Sequence, residues 1–268
     1  MVRWLLDEAS GLTRGQRMMQ RPFRFSESEL NRLAMWGRDI QQGRPIQHVI
    51  GYTPFAGLRL AVGPQALIPR PETEELVSLA LEDSDEMPSA DVLRVLDIGT
   101  GSGCIALGVK HGLNLAGRAS EVVGEDVSVD ALRLAQQNAE ANHLDVKFVE
   151  RDALSSAADT NSYHLILSNP PYIPQREREL MDAVVTDHDP ALALFVPDER
   201  PLLFYEAILK RCESTALASG GVVLLECHRD FVKDVSNLFC NSPEFAVVDH
   251  LFDMQNRLRF VRAFKQRP

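Results

Sequence analysis

Two short segments carry residue types whose spacing suits chemistry. Asp97-Ile98-Gly99-Thr100-Gly101-Ser102-Gly103 follows an apolar run and opens a helical stretch, the place where an open α/β sheet binds a nucleotide-like ligand. Three glycines let backbone approach a ligand closely, and their N–H groups join a helix N-terminus in a polar cradle. A nicotinamide loop would want Gly or Ala where Cys104 stands, and the absent Gly-Lys-Ser/Thr ending excludes a P-loop. The second segment is Asn169-Pro170-Pro171-Tyr172, after the apolar run 163–168. Its prolines fix φ and remove two donors, so the loop forms a rigid rim whose carbonyls need partners. Taken alone, Tyr172 reads equally as a packed amphipathic core residue.

Asp-x-Gly-x-Gly-x-Gly at a strand end resembles the S-adenosylmethionine loop of Rossmann-like methyltransferases, which implies cofactor contacts by Gly99, Thr100, Gly101, Ser102 and Gly103. Asp126, about 25 residues downstream, is placed to accept hydrogen bonds from both ribose hydroxyls, with its neighbour Glu125 as the competing acid. Asp152 can face the adenine amino group, and the Ala153 N–H is available to a ring nitrogen. Asn169 to Tyr172 resembles the [N/D]PPY motif of methyltransferases that act on planar nitrogen groups conjugated to a carbonyl or an aromatic ring. Such a nitrogen is a poor nucleophile because its lone pair is delocalised, so a site must orient it. The Asn169 side-chain oxygen and the Pro170 carbonyl can each accept one N–H of an NH2 group, and Tyr172 can stack on the planar group. Positioning of this kind can contribute roughly 7 to 11 kcal/mol without a strong base. His228 reads as a surface or hydrogen-bonded residue, since this reaction needs no general base of its pKa.

The elements that must hold these residues follow from periodicity. Residues 1–45 read as helical, with a Ser26-to-Glu29 capping box ahead of Leu30, Leu33, Ala34 and Ile40. From Gln47 the pattern changes to short β-type runs at 48–52, 58–62 and 66–68, broken by Pro54, Gly57, Gly63 and Pro64, which predicts a hairpin linker. A helix follows Pro71, then a polar loop over 82–91. Strand-like runs at 92–98, 121–125, 146–149, 163–168, 222–226, 246–248 and 258–264 then alternate with helical stretches. Among these, Ser128 caps a helix with Ala131, Leu134, Ala135 and Ala139 as its apolar stripe. The expectation is an α/β chain with a doubly wound, seven-stranded sheet and a small N-terminal helical domain. The predicted boundaries are a helical domain over 1–45, a β-hairpin linker over 46–72 and the catalytic domain over 73–268.

Composition bounds the function. The 268 residues carry a net charge of −10, with 28 basic against 38 acidic side chains. The charge is uneven: residues 1–70 hold ten arginines, no lysine and five acids, so a surplus of five positive charges precedes an acidic remainder. That split suggests different partners for the two parts, and the acidic remainder argues against a phosphate-tracking channel. Four scattered cysteines without a CxxC pair, and no clustered histidines, predict a reducing compartment and no metal. No signal-peptide pattern and no apolar stretch of about 18 residues is present, so a cytoplasmic protein that does not span a membrane is expected.

The order of motifs narrows the substrate. Gly43-Arg44-Pro45-Ile46-Gln47-His48-Val49-Ile50-Gly51, Phe55-Ala56-Gly57-Leu58 and the stretch from Leu67 through Ile68-Pro69-Arg70-Pro71-Glu72-Thr73-Glu74 to Val77 resemble the linker signature of the HemK/PrmC family. These are protein-(glutamine-N5) methyltransferases that modify the GGQ glutamine of peptide-chain release factors. The run Asp189-Pro190-Ala191-Leu192-Ala193-Leu194 resembles the family's segment after NPPY. The resemblance spans nearly the whole chain. It implies a class I, Rossmann-like fold and S-adenosylmethionine as cofactor, with S-adenosylhomocysteine as product. It also implies a cofactor contact by Asn169, glutamine contacts by Asn169, Pro170, Pro171 and Tyr172, a catalytic role for Asn169, Pro170 and Tyr172, and a helical domain that contacts the release factor, with no direct nucleic-acid partner. Departures are a helical part shorter than the pattern, Cys227 where Gly usually follows Glu226, and no glycine over 249–257 where the family has D-x-x-G-x-x-R. The alternatives are a methyltransferase for exocyclic amines of adenine or guanine in nucleic acid, and a non-catalytic S-adenosylmethionine-binding adaptor.

Overall fold

A computed structural model of the chain describes residues 2–20, 22–87, 92–155, 161–214 and 216–267. Three helices open it: α1 (Val2–Ser10), α2 (Arg14–Met19) and α3 (Glu27–Gln41). Reciprocal capping boxes start two of them, Thr13 with Gln16 on α2 and, as expected, Ser26 with Glu29 on α3. The run 48–52 was expected to be β but begins as a short helix, α4 (Ile46–Ile50). Pro45 presets its first turn, and Gly51, at φ 90°, ends it in the left-handed conformation that favours glycine. The hairpin starts only at β1 (Tyr52–Phe55) and returns as β2 (Leu58–Ala61) through Ala56 and Gly57, both at positive φ.

The expected β-run 66–68 makes no ladder. Instead the Ile68 N–H, deep in the protein, donates to Asp189 Oδ1 at 3.1 Å, so a side chain satisfies backbone that a strand would otherwise pair. Helix α5 (Pro71–Glu86) runs through much of the expected polar loop. Its acids are adequate helix formers, and Asp83 is buried with Arg262 at 3.0 Å. Residues 88–91 of that loop lie outside the described residues.

The chain continues as β3 (Leu93–Ile98), α6 (Cys104–Leu115), β4 (Ser120–Asp126), α7 (Val129–Ala141), β5 (Lys147–Glu150) and β6 (Tyr163–Ser168). Next come the short strand β7 (Ile173–Pro174), a 3-10 turn (Gln175–Leu180), α8 (Ala183–His188), α9 (Ala191–Leu194) and β8 (Phe195–Val196), which pairs with β7. The last part is α10 (Leu203–Glu213), β9 (Leu217–Glu226), α11 (Val232–Cys240), β10 (Phe245–Phe252) and β11 (Leu258–Lys265).

Seven strands form one sheet in the order β5-β4-β3-β6-β9-β11-β10. The first five are parallel, and β11 and β10 close the edge antiparallel. Val95, Leu96, Leu165, Ile166, Val223 and Leu224 are fully buried, because parallel strands covered on both faces read as continuous apolar runs. The chain winds outward from β3 through β4 to β5, then returns to β6 on the other side of β3. That reversal leaves a crevice at the carboxyl ends of β3 and β6. The hairpin is fixed to this body by Asn138 of α7, which accepts from Ala61 N at 2.7 Å and donates to Ala61 O and Ser102 O. Helix α1 docks on the hairpin through Tyr52, whose hydroxyl donates to Glu8 and accepts from Trp4 Nε1.

Candidate active site

Asp97, next to last in β3, is fully buried, and its Oδ2 accepts from Thr100 Oγ1 of the glycine loop at 2.6 Å and Ala106 N at 3.1 Å. Burial pushes its carboxyl up to about 7. Above it, Gly99 N and Thr100 N both donate to the Glu125 carbonyl at 2.8 Å, and Gly101 N donates to Asp126 Oδ2 at 2.8 Å. Gly99 and Gly101 sit at φ 72° and 55°. A Cβ on Gly99 would meet no atom within 4 Å, so the loop leaves an open cradle on that side. Gly124, in the middle of β4, went unassigned from sequence. A Cβ there would fall 2.8 Å from Thr100 Oγ1 and from the Phe148 ring, so this glycine gives the loop room.

The cradle opens into a cleft. Gly99, Thr100, Gly101, Ser102, Asp126, Asp152 and Ala153 line one part of it, and Asn169, Pro170 and Pro171 another. Gly103 does not: at φ 82° it begins α6, and a Cβ would lie 3.1 Å from Ala135 of α7. Its role is close helix packing. The two competing acids separate, because Glu125 is buried in an ion pair with Arg211 at 2.9 Å while Asp126 borders the cleft. Asp152 is exposed, and its Oδ1 accepts from Leu154 N at 2.9 Å.

Tyr172 also stands apart from the cleft lining. Its ring lies 6.0 Å from that of His228, and its hydroxyl donates to Glu226 Oε1 at 3.4 Å. Burial holds that phenol well above the ordinary tyrosine range. Stacking of Tyr172 on a planar group was expected from the motif. In the structure the half-buried ring packs against the core cluster that includes Tyr205 and Leu225, and β9 brings the carboxylate of Glu226 within reach of the hydroxyl. His228 pairs with Glu177 at 3.3 Å, the hydrogen-bonded residue expected of it.

Several cleft residues come from segments given no site role by sequence. Thr73, Pro69 and Arg70 arrive from the linker stretch, Leu192 and Ala193 from α9, and Arg151 from the end of β5. The available signal was the long linker signature itself. Asp189 explains the convergence: only 5% exposed, it binds Ile68 N and the Arg70 guanidinium, tying the linker to the segment after NPPY. Cys104 lines the cleft too, but burial raises its thiol to about 12 and keeps it protonated. Counting D-x-x-G-x-x-R from Asp253 to Arg259 puts Asn256 in the glycine's place, and Asn256 adopts φ 59°, a conformation asparagine tolerates. Among the described residues no helix is long and apolar enough to cross a membrane.

A seven-stranded sheet of this order, with a glycine-loop cleft at its switch point, defines a class I S-adenosylmethionine-dependent methyltransferase. Residues 84–193 match the family model of the methyltransferase small domain. The fold is similar to the crystal structure of a methyltransferase from Pyrococcus furiosus, at a TM-score of 0.52 and 17% identity over 78% of this chain and 90% of that one. Closer relatives give the particular family. A release factor glutamine methyltransferase of Chlorobaculum tepidum is 39% identical over 89% of this chain and 81% of its own length. One of Bacteroides thetaiotaomicron is 41% identical over 73% of this chain and 67% of its own length. The chain belongs to the release factor glutamine methyltransferase family.

Proposed function

We propose that this chain methylates the side-chain amide nitrogen of the GGQ glutamine of a peptide-chain release factor, with S-adenosylmethionine as donor. The observation that carries the reading is Asn169-Pro170 at the end of β6, on the rim of the cleft that the glycine loop opens, in a chain of this family. The donor supplies an electrophilic sulfonium methyl group and leaves as S-adenosylhomocysteine. The residues present suit it. Asp126 offers a carboxylate to a ribose diol, Asp152 and the Ala153 backbone border the place for a base, and Ile98, Val127 and Phe204 give the cleft apolar walls. The open cradle over Gly99 admits a ligand against the backbone.

A carboxamide nitrogen needs orientation more than deprotonation. The Asn169 side-chain oxygen and the Pro170 carbonyl each accept one N–H of the glutamine amide, which aims the nitrogen across the cleft. Tyr172 serves by fixing the loop, through its half-buried ring and its bond to Glu226. A release factor substrate places the reaction in the cytoplasm, and the arginine-rich helical part meets it. Labelled methyl donor with purified release factor tests the reading. Label is expected on the GGQ protein and absent when that glutamine is alanine, and label that persists on the alanine variant overturns the target.

A further inference from the structure

A buried polar chain runs behind the cleft. Asn169 Nδ2 lies 3.2 Å from Thr73 Oγ1, Thr73 Oγ1 lies 2.8 Å from Glu226 Oε2, and the Tyr172 hydroxyl lies 3.4 Å from Glu226 Oε1. Thr73 and Glu226 are each only 2% exposed. Counting protons decides how these groups face one another. A threonine hydroxyl has one proton, and an ionised carboxylate has none. Thr73 therefore spends its proton on Glu226 and has only lone pairs left for Asn169, which must turn its NH2 toward Thr73. The planar amide then holds Oδ1 on its opposite edge, and no described residue bonds that oxygen.

We propose that Thr73 and ionised Glu226 are a positioning pair: they lock the Asn169 amide with its oxygen free, so that the site accepts an N–H from a neutral carboxamide. This rests on the glutamine reading above and adds to it the source of the asparagine's orientation. With Oε1 accepting from Tyr172, protonating Glu226 puts its proton on Oε2 and reverses the chain. Glu226 then donates to Thr73, Thr73 donates to Asn169, and Asn169 presents its own NH2 to the substrate's NH2, donor against donor. The groups facing Glu226 are Glu72 and Thr73 of α5, Tyr172 after β6, Tyr205 of α10, the adjacent Cys227, Arg259 of β11 and, farther off, Cys104 of α6. Burial raises the Glu226 carboxyl most, Glu72 adds to that, and Thr73, Arg259 and Tyr172 oppose it, leaving it at about 7. Turnover should therefore rise with pH through about 7.

Glu226→Gln separates positioning from support of the fold. The folded-state pKa lies above the ordinary carboxyl value of 4.5, so the stability this group contributes is lost as pH rises from there through about 7. At pH 8 an isosteric neutral side chain removes a buried charge, and the unfolding temperature should hold or rise. Turnover on release factor should nonetheless fall at least about tenfold, with calorimetric affinity for S-adenosylmethionine within about threefold and the pH limb near 7 gone. Thr73→Val should behave like Glu226→Gln, and Thr73→Ser, which keeps the hydroxyl, should restore turnover to within about threefold of the parent. Binding gives a readout without turnover. With S-adenosylhomocysteine present, the parent should prefer GGQ over GGA release factor, and Glu226→Gln should lose that preference. Unchanged turnover in Glu226→Gln or Thr73→Val, failure of Thr73→Ser to rescue, an intact glutamine preference, or turnover losses that track unfolding temperature would each overturn the proposal. A parent enzyme that leaves GGQ release factor unlabelled sinks the glutamine reading instead.

Discussion

Asn169 carries one oxygen acceptor and two N–H donors on a rigid plane, and its value to the reaction depends on which edge faces the cleft. That makes it the residue whose loss should separate chemistry from binding. In Asn169→Ala, turnover on release factor should fall on the order of 10²-fold, as for removal of one preorganised transition-state contact. Affinity for S-adenosylmethionine by calorimetry should change far less. Equal losses in both would make Asn169 chiefly a cofactor residue. Asn169 and Pro170 were recognisable from their types and order alone. The partners that orient them were not, because Thr73 lies 96 positions away and Glu226 meets Tyr172 across 54. Such a pairing has no local signature.

At the scale of elements, the glycine loop works because three neighbours give way to it. Asp97 ties down Thr100 and the first turn of α6, Gly124 leaves space beneath, and Gly103 lets α6 start against α7. The last point is testable by Gly103→Ala. Its left-handed φ of 82° and a Cβ at 3.1 Å from Ala135 and from Leu107 combine backbone strain with overpacking. The cost should be about 2–4 kcal/mol, so thermal unfolding should shift down by roughly 5–15 °C. An unchanged melting temperature would show that α6 has slack against α7. Sequence periodicity gave these elements correctly where both neighbours are covalently close: the strand-loop-helix from β3 to α6, and the Ser128 cap of α7. It misplaced 48–52 and 66–68. β-Branched and apolar residues there look like strands, while the proline before α4 and the Asp189 carboxylate beside Ile68 decide otherwise.

Over the whole molecule, the arginine surplus at the N-terminal end is not one uniform patch. Arg17 is committed inside the helical part, bound to Asp7, Ser10 and the Leu12 carbonyl, and Arg59 lies 3.6 Å over the Tyr52 ring. Arg70 serves the linker clamp on Asp189. Arg21 falls outside the described residues. Arg14 and Arg24 are exposed, which makes them the better choices for a partner test. Neutralising both should raise KM for release factor several-fold, reduce the salt dependence of KM and leave kcat nearly unchanged. An unchanged KM and salt slope would remove these arginines from the partner surface. Replacing Arg17 instead should act through stability, since its loss removes the bonds to Asp7, Ser10 and the Leu12 carbonyl and leaves Asp7 only the more distant Arg3 at 3.8 Å.

By itself, the sequence determined the local elements around the two motifs and the order in which they present the motif residues. Strand, glycine turn and helix follow from periodicity and φ freedom within a few neighbouring residues, and the Asn-Pro-Pro rim is stiff through its own covalent rings. Tertiary structure decided which of those residues reach the cleft. It sent Asp126 into the cleft and Glu125 into an ion pair, withdrew Gly103 and Tyr172 from the lining, and brought Thr73 from the linker against Asn169. The physical reason is that a carboxylate, a hydroxyl or an amide takes its orientation from whichever partner satisfies it once water is excluded, and those partners are brought together only when the sheet closes.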